Sequence, residues 1–186
     1  MFVRSLVLLL FAMPAFGGLV VNGTFEAGCT TNWTITQDDG GNCSSTEGNP
    51  NFALILNNGP GPVPQAAQTI AGLVVGQNYQ ITIDGKTHYN CCNPPGTPGA
   101  GVGIDGQQFD FLILNSQPWT TYTFNFTYTG ASNVLVVSAQ RNGTDADGEF
   151  DNVDINLVQS GVPEPGSFVL IGAGALLLIG SRLRRR

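Results

Sequence analysis

Apolar and polar positions alternate along most of the chain from residue 79 onward. Tyr79, Ile81 and Ile83 alternate with Gln80, Thr82 and Asp84. Phe109, Phe111 and Ile113 share one face of a second segment. Tyr122, Phe124, Phe126 and Tyr128 alternate with Thr121, Thr123, Asn125 and Thr127 in the clearest one. Val134–Gln140 and Phe150–Val158 repeat the pattern, the last with Val153, Ile155 and Leu157 on one side. A period of two sends successive side chains to opposite faces, so each segment predicts a half-buried β-strand. Clusters of Gly, Asn and Pro at Asn57–Pro64 and Asn90–Gly101 predict loops between strands. No segment between the two ends shows a helical period. The pattern predicts an all-β fold, an antiparallel β-sandwich or jelly roll.

The two ends break this pattern. Arg4, the apolar run Leu6–Phe11 and Ala15-Phe16-Gly17 read as a signal peptide over 1–17, with Gly18 the first mature residue. At the other end Val162-Pro163-Glu164-Pro165 precedes an apolar stretch and four arginines, Arg182, Arg184, Arg185 and Arg186. The apolar reach from Gly166 to Leu183 is roughly 27 Å as a helix, against a hydrocarbon core of about 30 Å. A single transmembrane helix is expected over 167–183, with the arginines on the cytoplasmic side. The domain between, 18–161, is long enough for one core.

Composition sharpens this picture. The whole chain carries seven basic and thirteen acidic residues, net −6. Five of the basic residues lie in the two ends, which leaves Lys86 and Arg141 against twelve acidic residues in 18–161, a net of 2 − 12 = −10. Such a surface repels phosphate backbones and excludes nucleic-acid partners. Abundant Asn, Thr, Gln and Gly suit a neutral polar partner such as a sugar.

Four cysteines in an exported domain imply disulfides. Cys29 with Cys43 closes a short loop and leaves the adjacent Cys91 and Cys92 to each other; crossed pairings between the two sets remain the alternative. Zinc lacks a histidine at ligand spacing. The acidic run Asp145-Ala146-Asp147-Gly148-Glu149 departs from the EF-hand pattern and predicts an exposed hairpin turn. No nucleophile elbow, HExxH or phosphate loop is present, so a non-catalytic protein is expected. Trp33, His88, Tyr89 and Trp119 are the candidate sugar-contacting side chains, though Trp33 and Trp119 also suit the core.

The C-terminal order of Val162-Pro163-Glu164-Pro165, apolar run and arginine cluster resembles the PEP-CTERM sorting tail of exported bacterial proteins. The resemblance covers 162–186. It implies an exosortase-type membrane protease as partner, transient anchoring in the inner membrane, and delivery to the cell surface or extracellular matrix of a Gram-negative-type bacterium.

The domain itself resembles galactose-binding-like jelly rolls, the fold of many carbohydrate-binding modules. The resemblance rests on Asn22-Gly23-Thr24-Phe25-Glu26 followed by Asn32-Trp33. It extends through Ala67–Ile70 and Gly72–Tyr79 to Phe150-Asp151-Asn152-Val153-Asp154-Ile155. It implies extracellular polysaccharide as a partner and a structural calcium held by Glu26 and Asp151. Hard cations want carboxylate and carbonyl oxygens converging from separate strands. A glycan-active hydrolase with unidentified carboxylates is the runner-up, and an ice-binding surface protein a minor third. Against the last, Thr120–Thr129 lacks a regular Thr-x-Thr repeat over many strands.

Overall fold

The computed structural model describes residues 18–36, 43–56, 63–88, 99–113, 118–140 and 147–158. Ten strands form in these residues: β1 Thr34–Thr36, β2 Cys43–Ser44, β3 Ala53–Leu56, β4 Gln65–Thr69, β5 Asn78–His88, β6 Gly99–Ile104, β7 Gln107–Leu112, β8 Thr120–Thr127, β9 Val134–Gln140 and β10 Asp147–Leu157. They make two five-stranded antiparallel sheets, β1-β4-β9-β6-β7 and β2-β3-β10-β5-β8. Among the described residues there is no helix, and so none long and apolar enough to cross a membrane. The expected signal peptide, sorting motif and transmembrane helix lie outside the described residues.

The alternation works as expected. Tyr79, Ile81 and Ile83 from β5 and Phe126 from β8 meet Ala100, Val102 and Ile104 from β6 and Leu135, Val137 and Ala139 from β9 in one core. Toward the β7 and β8 edges the core thins into half-buried rings. Phe109 stacks on Phe124 with centroids 5.3 Å apart, and Phe111 lies 4.4 Å from Tyr122. Aromatic pairs at these spacings contribute beyond the area they bury.

Two expectations need correction. Gly99–Gly101 belongs to β6 rather than to the preceding loop. Its glycines alternate with Ala100, Val102 and Ile104, so the apolar set still faces inward while glycine occupies the outer face. Asp147, Gly148 and Glu149 are not an exposed turn: they open β10, pair with β3 and β5, and are buried. The alternation set no expectation for β3 (Ala-Leu-Ile-Leu): it is an apolar run without alternation, buried on both faces, and a period-two reading passes over it.

Candidate functional site

The Asn22–Glu26 segment ties the N-terminus to β10. Pairing of β10 with β5 slips between Asp151 and Asp154, and Val153 N–H there donates to the Gly23 carbonyl at 2.9 Å. A Cβ on Gly23 would lie 1.9 Å from the Val153 carbonyl oxygen, so only glycine fits this bulge. Asn22 braces the next turn, donating to the Gly28 and Thr31 carbonyls and accepting from Ala27 N–H. Phe25 is fully buried against Trp33, whose indole donates to the Asn22 carbonyl at 3.1 Å. Cys29 and Cys43 form a disulfide, as the spacing suggested; Cys91 and Cys92 lie outside the described residues.

Glu26 and Asp151 are brought to one loop, residues 48–52, which contains a cis Asn49–Pro50 peptide. Glu26 Oε1 accepts the N–H groups of Asn51 and Phe52, each at 3.1 Å. Asp151 Oδ2 accepts Asn49 N–H at 2.6 Å, and Oδ1 accepts Asn152 N–H at 2.7 Å. The Phe52 amide, opposed by desolvation and helped by Asn51, holds the Glu26 carboxyl below its ordinary value. Burial pushes the Asp151 carboxyl up to about 6; the Asn49 and Asn152 amides oppose this, and the charges of Asp84 and Glu26 add to it. Among the described residues no group of three or more His, Cys, Asp or Glu side chains is placed to hold a metal by itself. A cation here would need backbone carbonyls and amide oxygens as well.

Beside this loop on the outer face of the second sheet, Lys86 and Glu149 form an ion pair at 2.8 Å, with side chains 9% and 1% exposed. The Lys86 ammonium also donates to the Glu47 carbonyl at 2.8 Å and lies 4.8 Å from the Trp119 ring centroid. Trp119 is therefore not a core residue. It is half-buried on the outer face, where one position before β8 places it opposite in parity to the inward Tyr122 and Phe124.

The outer face of the first sheet carries a different relief. A groove of about 440 Å³ runs over β1, β4 and β9, lined by Val21, Asn32, Thr34, Ala67, Gln68, Thr69 and Val134. Ala67 is its floor and the exposed Thr34 and Thr69 its rim. Gln68 is locked beneath by Val21 and Asn32: its Oε1 accepts Val21 N–H, and its Nε2 donates to both carbonyls. A held floor, small side chains, hydroxyl rims and valine walls suit the alternating C–H and O–H surface of a sugar chain.

The candidate sugar-contacting side chains do not share one surface among the described residues. Trp33 is 4% exposed and structural, so it offers no ring to a ligand. Trp119 lies on the second sheet, and His88 is the last residue of β5, paired with Asp147. Tyr89 lies outside the described residues. Sequence reading missed the groove because Ala67, Thr69 and Thr34 carry no signal until β1 pairs with β4.

This chain belongs to the carbohydrate-binding domain family, whose model matches residues 17–146. Similar solved structures include a family 16 carbohydrate-binding module (20% identity, TM-score 0.53, covering 75% of this chain and 99% of that one). Another is TmCBM61 in complex with β-1,4-galactotriose (13%, 0.57, 76% and 99%). The enzymatically active domain of bacteriophage CBA120 tailspike protein 4 is also similar (15%, 0.54), over 76% of this chain. The chain spans only 21% of that tailspike structure but nearly all of the two modules. At these identities the likeness is one of fold. No curated protein matches the chain.

Proposed function

We propose that this chain is an exported, non-catalytic surface or matrix protein that binds extracellular polysaccharide through the groove of the first sheet. Membership of the carbohydrate-binding domain family carries this reading. The net charge near −10 in 18–161 favours a neutral or weakly charged glycan. Val162–Pro165, the apolar run over 167–183 and the arginines serve as the sorting tail, cut by an exosortase-type protease after export. A structural calcium at Glu26 and Asp151 belongs to the same reading. Asp151 is fully buried and further raised by the charges of Asp84 and Glu26, and a cation there would offset that crowding.

The test is a polysaccharide pull-down with the full chain in zwitterionic detergent, with calcium or with chelator. Saturable retention on one class of polysaccharide, without release of reducing sugar, is expected. Ala67→Arg should abolish retention and leave melting unchanged, because the side chain points out of the sheet. Release of reducing sugar would make the protein a hydrolase, and absence of retention on every polysaccharide would refute binding. Chelation should lower the melting temperature, and Glu26→Ala should remove the difference.

A further inference from the structure

Six large hydrophobic side chains are exposed among the described residues, and three of them, Val74 (56%), Val75 (65%) and Val158 (41%), share one end of the sandwich. Val74 and Val75 are the tip of the β4–β5 loop. Val74 N–H donates to the Tyr79 hydroxyl and Gly76 N–H to the Tyr128 carbonyl. A Cβ on Gly130 would lie 3.1 Å from a Val75 methyl, so the 128–133 loop lies alongside. Val158 N–H donates to the Asn78 carbonyl, so the chain leaves β10 beside the same tip. Behind the tip an apolar cavity of about 330 Å³ is lined by Leu19, Val74, Tyr79, Ile155 and Leu157 among others.

The exposed loops of this end are also free of charge. Residues 70–77, 128–133 and 157–158 contain no Asp, Glu, Lys or Arg, although 18–161 holds twelve acidic residues. The carboxylate of the β6–β7 turn, Asp105, is 4% exposed and turned inward onto the N–H groups of Thr129, Ala131 and Ser132. A domain of net −10 is repelled by a leaflet bearing anionic lipid, and an uncharged, valine-tipped end is the part that can approach it. Nine residues, 159–167, separate Val158 from the apolar run at Phe168, a reach of at most roughly 30 Å.

We infer that the Val74–Val75 end is a lipid-docking surface that seats the domain on a phospholipid bilayer while the C-terminal segment is anchored there. The inference rests on the proposed membrane tail. Docking sinks the two valines into the headgroup–acyl boundary and turns the opposite end, with Lys86 and Glu149, toward the aqueous side.

The experiment uses the full chain carrying Val75→Trp, reconstituted in phosphatidylethanolamine–phosphatidylglycerol vesicles with or without lipids brominated in the upper acyl chain. The emission of the introduced indole, after subtraction of the unsubstituted chain with Trp33 and Trp119, should shift to the blue. Brominated lipid should quench it, as expected of a side chain sunk to the headgroup–acyl boundary. Adding Val74→Asp should remove the quenching. An indole that stays unquenched overturns the inference. A blue-shifted but unquenched indole does so as well, because it is then buried against a second copy or against the chain itself. Carbonate extraction reads the tail separately: an extractable chain refutes the membrane tail, whereas quenching alone decides docking.

Discussion

The two ends of the sandwich solve the same problem, closing off ten strands, by opposite chemistry. At one end the 44–52 loop is held by charge. Lys86 is clasped between Glu149, the Glu47 carbonyl and the Trp119 ring, and Glu26 and Asp151 grip the loop through its backbone N–H groups. At the other end the 70–77 and 128–133 loops carry no charge and present valines to solvent. The carboxylate found there, Asp105 of the β6–β7 turn, serves the backbone of the neighbouring 128–133 loop. Buried charge needs partners with fixed geometry, so the first end is specified by single residues. The second is held by backbone groups together with the Tyr79 hydroxyl and the Asp105 carboxylate, and its exposed valine tips should tolerate substitution.

Removing one partner of the buried pair at the charged end should have the largest effect. Glu149→Ala leaves the Lys86 ammonium buried and half-satisfied, and should lower stability in chemical denaturation by about 3–5 kcal/mol. The double variant Lys86→Met, Glu149→Leu should recover much of the loss. Equal losses in single and double variants would show that packing, not charge, holds this end. Val75→Ser at the other end should change stability by less than about 0.5 kcal/mol, since Val75 is 65% exposed.

Opening the Cys29–Cys43 disulfide comes next. The bridged residues are 14 apart in sequence, and a loop of that size contributes about 3 kcal/mol through the unfolded chain. The Cys29→Ser, Cys43→Ser variant should lose about that much, and its thermal unfolding should become insensitive to reductant if Cys91 and Cys92 add nothing.

A smaller effect than either of these losses is pH dependence, in which the two ends should differ in sign. Asp151 has a folded value near 6, above the ordinary 3.8. It therefore favours the folded state fully below about 4, and that contribution is lost as pH rises through 6. The loss, on the order of 2 kcal/mol, should be read in chelator. Desolvation raises Asp105, but the amides of Thr129, Ser132 and Ala131 outweigh it and hold its carboxyl below the ordinary value. Its contribution is present above about 4 and lost as pH falls through the lowered value. Asp151→Asn should flatten the stability slope between pH 4 and 6, and Asp105→Asn the slope below pH 4. An unchanged slope in either variant would assign it to other groups.

Strands with clean alternation were legible because burial on one face writes a period of two into the sequence. Tyr79–Ile83, Tyr122–Phe126 and Val134–Gln140 are examples. Asn22-Gly23 and Phe25-Glu26 were legible as a unit. The structure gives the reason, since Gly23 sits where a Cβ would meet the Val153 carbonyl. The Glu26–Asp151 meeting was legible only through family resemblance, because 125 residues separate them.

By itself the sequence determined the all-β class, the inward face of each alternating strand and the acidic balance of the domain. These follow from local period and composition, which any fold of this chain would share. Only the tertiary structure decided that Trp33 is core and Trp119 outer, that Asp147 and Glu149 are buried in β10, and that an uncharged valine end opposes a charged one. It also decided that Ala67 floors a groove. Each of these depends on which strands pair and in what register, and a shift of one residue exchanges the two faces of a strand.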